Sequence, residues 1–221
     1  MASPQPAVPP RERERELVRA TRRLFDERGM QDAPVEEIAR AVGIARGLIY
    51  RHFSSKEELY VLTVTDYLAE LDEVLRAAAD PSAGHVAQLE RWAQAFVDFC
   101  LRYPAFLDCA LSLMRRPAAE LRDALSESVW FRLGQAIAAC VGHVSRILSD
   151  GAKAGRFDVE DPDFTANVLW TQILGTAHLA RIRVGIREAA PGIPELFRIE
   201  PEDVARTCVT TALATVVRRP A

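Results

Sequence analysis

"VEEIARAVGIARGLIYRHFSSKEELY", residues 35–60, decides how this chain is read. Val35, Ile38, Ala39 and Val42 recur at helical spacing, Pro34 suits a first turn, and Glu36 and Glu37 complement the positive end of a helix dipole. Gly43 ends that helix. Only Gly43-Ile44-Ala45 separates it from a second apolar set, Leu48, Ile49 and Phe53. Two short helices joined by a three- or four-residue turn containing glycine make a helix-turn-helix, whose second helix fits a major groove.

The flanks extend the pattern. Upstream, "RERERELVRATRRLFDERGM" places Leu17, Ala20, Thr21, Leu24 and Phe25 on one helical face, with Gly29 as its stop. The basic "RERER" run is balanced by glutamates and reads as a solvated face with i,i+4 pairing. Residues 1–10 hold four prolines and no apolar period, which predicts a flexible arm. Downstream, Ser55 and Glu58 have capping-box spacing before the long apolar-periodic segment "LYVLTVTDYLAELDEVLRAAA".

Beyond the loop signal Asp80-Pro81-Ser82-Ala83-Gly84, the periodicity predicts helices near 85–102, 105–115, 118–150, 161–186 and 201–218. No segment shows sustained strand alternation, and "APGIPELFRIEP" reads as a break, so the expected fold is all-α.

At 221 residues, 49% hydrophobic and 27% charged, the chain has the composition of a soluble globular protein and the length for one ample core or for one small and one larger helical domain. No apolar run approaches the roughly 20 residues of a membrane helix, and the N-terminus lacks the apolar region of a secretory signal, which predicts a cytoplasmic protein without a membrane partner. Cys100, Cys109, Cys140 and Cys208 form no CxxC pair, so buried thiols are expected and no metal or cofactor is implied. The net charge of −3 hides an asymmetry: residues 1–56 carry eleven Lys/Arg against eight Asp/Glu, a net +3, which leaves −6 for the rest. A basic head sits on an acidic body.

Sequence-specific DNA binding needs a rigid helix that presents donors to base edges, flanked by residues that grip phosphates. Ile49 and Phe53 point to one side, leaving Arg46, Gly47, Tyr50 and Arg51 around the rest of the cylinder. From the first turn of that helix Arg46 can reach guanine O6 and N7. Tyr50, His52 and Lys56 suit phosphate oxygens, and Gly47 lets the backbone approach a duplex. The plainer reading makes Tyr50 part of the core and Arg46 and Arg51 an ordinary solvated face.

Taken whole, residues 13–62 resemble the TetR family of bacterial transcriptional regulators, both in "RELVRATRRLFDERGM" and in the stretch quoted above. The resemblance implies a three-helix DNA-binding domain over residues 11–56 and a helical ligand-binding and dimerisation domain over residues 57–221. It also implies a homodimer on palindromic operator DNA, most often a repressor, released by a small-molecule effector. Carried over by position, the DNA contacts fall on Val35 and Glu36, on Ala45, Arg46, Gly47, Leu48, Tyr50 and His52, and on Lys56 as the phosphate clamp. Two residues depart from the family. Ala45 stands where Ser or Thr often caps the recognition helix, a loss of about 1 kcal/mol. Leu48 often is Thr there; Leu either touches a thymine methyl or packs inward.

The resemblance places the dimer interface on the last two long helices, where Val204, Cys208, Ala212, Thr215 and Val216 are available for close packing. Aromatic-lined clefts between helices are common ligand sites, and Phe96, Phe99, Phe106, Met114, Trp130, Phe131, Trp170 and His178 lie on the middle helices. Each is either pocket lining or plain core, and His178 in "LGTAHLARI" is either a ligand group or a satisfied buried histidine. Few acids interrupt the apolar faces, which favours an apolar or aromatic effector. Glu-x-x-His pairs, HExxH, a P-loop and GxSxG are absent, so the chain does not read as an enzyme. The competing reading is a TetR-like architectural or adaptor protein without an effector, which a filled core in the large domain would favour.

Overall fold

The apolar stripe of the first helix becomes its buried side: Leu17, Ala20, Thr21, Leu24 and Phe25 of α1 (Pro10–Arg28) all face inward. The computed structural model describes residues 10–28 and 34–217, so the arm expected at residues 1–10 (all but the backbone of Pro10) and the stop at Gly29 lie outside the described residues. Two short helices follow, α2 (Val35–Val42) and α3 (Arg46–Ile49), and they close against α1 as a three-helix head.

The body is helical: α4 (Lys56–Ala78), α5 (His85–Arg102), α6 (Pro104–Met114), α7 (Ala118–Asp123), α8 (Glu127–Lys153), α9 (Pro162–Ile182) and α10 (Pro201–Val216). Helix α4 runs out of the head and packs against α8, α5 and α6, while α10 closes the bundle against α5 and α9. The architecture is the all-α one expected, a helix-turn-helix unit with a larger helical domain behind it.

Head and body are joined by a half-buried polar knot. Arg22 of α1 lies 2.8 Å from Asp66, pairs with Glu70, and stacks 4.1 Å from the centre of the Tyr67 ring. The Tyr67 hydroxyl donates to Asp26 (2.6 Å) and the Tyr103 hydroxyl to Glu70 (2.7 Å). Burial would lower the Arg22 pKa, but the hydrogen bonds and charges of Asp66 and Glu70 outweigh it and raise it. The guanidinium is therefore a permanent cation that pins α1 on α4.

Two sequence expectations are corrected. The single helix expected at 118–150 is broken at Ala124–Ser126, because α7 ends and Ser126 starts α8 afresh, its backbone N–H taken by Glu58 from α4. The absence of strands does not hold either. Helix α9 stops at Arg183, whose left-handed conformation (φ 59) turns the chain into an antiparallel hairpin, β1 (Val184–Ala190) and β2 (Ile193–Arg198). Pro191 and Gly192 (φ 77) occupy the central positions of its turn, where proline followed by a positive-φ glycine is favoured. Alternation was masked because Arg187 and Glu188 sit mid-strand and Pro194 interrupts the second strand.

The hairpin stands away from the bundle. Val184, Ile186 and Leu196 share one face, and Ile186 and Leu196 are 73% and 68% exposed. On the other face Arg187 pairs with Glu195 (2.6 Å), and its guanidinium lies 5.9 Å from the Phe197 ring.

Candidate nucleic-acid interface

Helix α2 begins after Pro34, in extended conformation, and carries Glu36 and Glu37 in its first turn. It ends in a Schellman pattern: Gly43 (φ 71) donates to Arg40 O at 3.1 Å, and Ile44 donates to Ala39 O at 2.9 Å. The positive φ is why glycine is needed there, and the turn it makes sets the angle at which α3 leaves. Ala45 precedes α3 without a side-chain cap, as its methyl dictates; only its carbonyl takes part, accepting from Leu48 N–H at 2.9 Å.

Regular α-helix in the second element is a single turn, Arg46–Ile49, extended to Phe53 by hydrogen bonds from Arg51, His52 and Phe53 back to Leu48 and Ile49. Ile49 and Phe53 are each 1% exposed and sit in the same core as Leu17, Phe25, Ile38 and Ala39. Burying both fixes the rotation of the element about its axis. Arg46, Gly47, Leu48, Tyr50 and Arg51 are consequently exposed, with His52 half-buried beside them. The alternative for Leu48 is thereby resolved: it is 36% exposed and points outward, not into the head.

Arg46 is held in place from two sides. Its Nη1 lies 2.6 Å from Glu36 Oε1, and its guanidinium lies 5.9 Å from the Tyr50 ring. Tyr50 and the charge of Glu36 beside it raise its pKa. The pairing crosses from α3 to the start of α2, and sequence reading missed it because the ten-residue separation has no local signature. Val35 belongs to the core of the head, so only its backbone is available to a ligand at the surface.

The segment ends at α4, where Ser55 Oγ accepts from Glu58 N–H at 3.1 Å and Lys56 is exposed in the first turn. The reciprocal half of the expected capping box is shifted by one residue. Glu58 Oε2 accepts from Ser54 N–H (2.8 Å), and its Oε1 accepts from Ser126 N–H (2.8 Å) at the start of α8. Burial would raise the Glu58 pKa, but the Ser126 and Ser54 hydrogen bonds outweigh it and hold the carboxyl at about 2. One carboxylate thus ties the exit of the α3 segment to the body.

The aromatic residues expected around a pocket separate into two groups. Phe96, Phe99, Phe106 and Trp170 are buried together: Phe96 stacks on Trp170 with centroids 4.2 Å apart, and Phe99 meets Phe106 edge-on at 5.2 Å. Trp130 and His178 are half-buried, the Nδ1 of His178 without a partner, whereas Met114 and Phe131 are exposed. An open cleft of about 480 Å³ between α1, α4 and α8, and a cavity of about 220 Å³ at the far end of α4, are lined by none of the eight.

All four cysteines are buried and unbridged, and burial pushes the Cys208 thiol up to about 11 and those of Cys109 and Cys140 to about 12. No group of three or more metal-ligating side chains occurs among the described residues. No helix among them is long and apolar enough to cross a membrane.

Residues 17–62 match the family described as bacterial regulatory proteins of the tetR family. The transcriptional activator FasR of Mycolicibacterium smegmatis is 33% identical over 92 residues, which cover 42% of this chain and 42% of that protein. The match therefore spans under half of the relative's length. Over the whole chain the likeness is one of fold. A tetR-family regulator from Rhodococcus RHA1 superposes with a TM-score of 0.66 at 18% identity, covering 94% of this chain and 98% of its own. RolR, solved in complex with the ligand resorcinol, gives 0.64 at 18% identity, covering 94% and 88%. Residues 17–62 of this chain thus match the family of bacterial regulatory proteins called tetR, and the chain as a whole shares the fold of solved regulators of that family.

Proposed function

We propose that the protein is a ligand-responsive transcriptional regulator of the cytoplasm, a repressor that binds palindromic operator DNA as a homodimer and is released by a small-molecule effector. The observation that carries this reading is the rotation of α3, which buries Ile49 and Phe53 and turns Arg46, Gly47, Leu48, Tyr50 and Arg51 outward on one convex surface. In this reading Arg46 exchanges Glu36 for a guanine edge and Leu48 meets a thymine methyl. Gly47 and Ala45 let the backbone close on the duplex, and Tyr50, Arg51, His52 and Lys56 hold phosphates. Glu36 and the backbone at Val35 lie where the start of α2 meets the groove wall.

A dimer is supported by the outer side of α9. Phe164, Val168, Leu179 and Ile182 are exposed along it, and the apolar hairpin face continues from its end. Residues expected at the interface on α10 are corrected: Val204, Cys208, Ala212 and Val216 are buried in the protomer's own core, where α10 meets α5 and α9. Of that set Thr215 alone faces outward. A two-fold pair would set two recognition elements about 34–36 Å apart on successive major grooves. An effector acts only if it prefers one spacing of the heads over the other. RolR, with resorcinol bound, supports a small aromatic effector class.

One observation favours the effector-free adaptor: the aromatic centre of the body, Phe96 on Trp170 and Phe99 on Phe106, is filled by side chains. The two readings separate on whether any small molecule changes operator affinity. The DNA face is tested by Arg46→Ala and Lys56→Ala on a selected duplex and a random one. Arg46→Ala should cost about tenfold or more in discrimination, whereas Lys56→Ala should weaken both duplexes alike and flatten the salt dependence by about one unit of slope. Equal losses on both duplexes for Arg46→Ala would remove it as a base reader.

A further inference from the structure

Helix α9 carries an apolar stripe that no described residue covers. Phe164, Val168, Thr171, Gly175, Leu179 and Ile182 fall within about 80° of one another at 3.6 residues per turn. All six are exposed, and no charged residue falls among them. The ends of the stripe are bulky and its middle is small. Phe164 is 68% and Ile182 52% exposed, whereas Thr171 and Gly175 lie at the centre, and a Cβ placed on Gly175 would meet nothing within 4 Å. Phe164 and Ile182 stand equally far, about 14 Å along the axis, to either side of position 173.

The hairpin that follows supplies a second observation. Of its two strands only Gly185 is not exposed, and a two-stranded hairpin is marginal in water unless one face packs on something further. Its charges are met within the chain: Arg187 by Glu195, Arg198 by Glu200, and Glu188 by the Gly192 N–H. Val184, Ile186 and Leu196 therefore present apolar surface without an unmatched charge beside it.

In a two-fold contact, a patch that meets a different patch on the partner is met by it in return. Antiparallel pairing of α9 with α9 of a second copy, crossing at Thr171 and Gly175, satisfies this condition. It sets Phe164 of each copy beside the end of the other's α9, where the hairpin begins.

We propose that the hairpin is a clasp, and that Val184, Ile186 and Leu196 of each copy close over Phe164 of a second copy of this chain. The inference rests on the homodimer reading above and specifies the arrangement within it. Area argues for a second copy as the occupant. The α9 stripe alone, about 30 Å by about 10 Å, offers roughly 300 Å² per copy, against about 800 Å² per partner in a stable interface. Each hairpin face adds about 23 Å by about 10 Å, and covers as much again on the other copy. The clasped pair thus buries roughly 750 Å² per copy, near what a stable dimer requires.

The test is thiol cross-linking of the full chain with a short bis-maleimide, read as covalent dimer on a denaturing gel. The four native cysteines are buried, which leaves introduced thiols as the reactive ones. Phe164→Cys and Ile186→Cys change exposed side chains, and they are made singly and together. The expected result is covalent dimer from the double variant and none from either single variant. Covalent dimer from Ile186→Cys alone would mean that hairpins meet each other, and from Phe164→Cys alone that the α9 helices run parallel. Either result, or no covalent dimer from the double variant, overturns the clasp. Ile186→Ser with Leu196→Ser should weaken the dimer about tenfold or more in sedimentation, with helical content unchanged, and an unaltered affinity likewise overturns it. A wild type that sediments as a monomer overturns the homodimer reading and the clasp together; a dimer that fails the cross-linking test removes the clasp alone.

Discussion

Replacing Glu58 by glutamine should loosen the join between head and body in a way that depends on pH. In the native protein the carboxylate accepts from Ser54 N–H and Ser126 N–H, each at 2.8 Å, in surroundings that leave the residue 5% exposed. Its pKa is about 2 against an ordinary value of 4.5. The folded value lies below the unfolded one, so the stabilisation is fully present above about pH 4.5 and is lost as the pH falls through about 2. A depression of about 2.5 units corresponds to roughly 3 kcal/mol at neutral pH, falling to roughly 2 kcal/mol near pH 3.5. Glutamine keeps one acceptor oxygen and turns its amide N–H toward the other donor, so the substitution should cost roughly the whole neutral-pH amount. Urea unfolding of wild type and Glu58→Gln at the two pH values reads this directly, with the stability gap about 1 kcal/mol smaller at the lower pH. Ser126→Ala and Ser126→Pro together provide the second edge of a double-mutant cycle: alanine removes the hydroxyl alone, and proline, compatible with the φ of −65, removes the N–H as well. A gap that is the same at both pH values, or costs that add without coupling, would refute the bridge.

Other expectations follow from the same geometry. Glu36→Ala removes the partner of Arg46 and should raise affinity for random duplexes at low salt; unchanged affinity would mean the pair does not restrain the arginine. Ile49→Ala should cost about 2–5 kcal/mol in the head, and hydrogen exchange should show α2 and α3 opening ahead of α8. Leu179→Glu, on the exposed side of α9, should shift sedimentation toward monomer while leaving the helical content intact, and an unaltered dimer would move the interface off α9.

What could be read from the sequence was local. The three-helix head was legible because its signals lie within a few residues of one another: Gly43 after Val42, Ser55 three before Glu58, Ile49 four before Phe53. The features that were missed depend on distant partners. Glu58 has the spacing of a capping residue, and nothing near it announces Ser126, sixty-eight positions away. Val204, Cys208 and Ala212 are small and apolar in a way that suits a dimer seam or an internal helix contact equally; the structure shows that α5 and α9 of the same protomer take them. The hairpin was hidden because strand alternation in Val184–Ala190 is broken by Arg187 and Glu188. Aromatic residues marked the centre of the body, where they pack on each other rather than around the cleft or the cavity.

Selection of bound duplexes from a random DNA pool by the purified full chain would show whether α3 reads an operator. The expected outcome is an enriched sequence with two-fold symmetry, its half-sites about one helical turn or slightly more apart, and loss of that enrichment in Arg46→Ala. A pool that yields no enriched sequence, or one whose winners lack symmetry, would contradict a homodimer that reads an operator through α3.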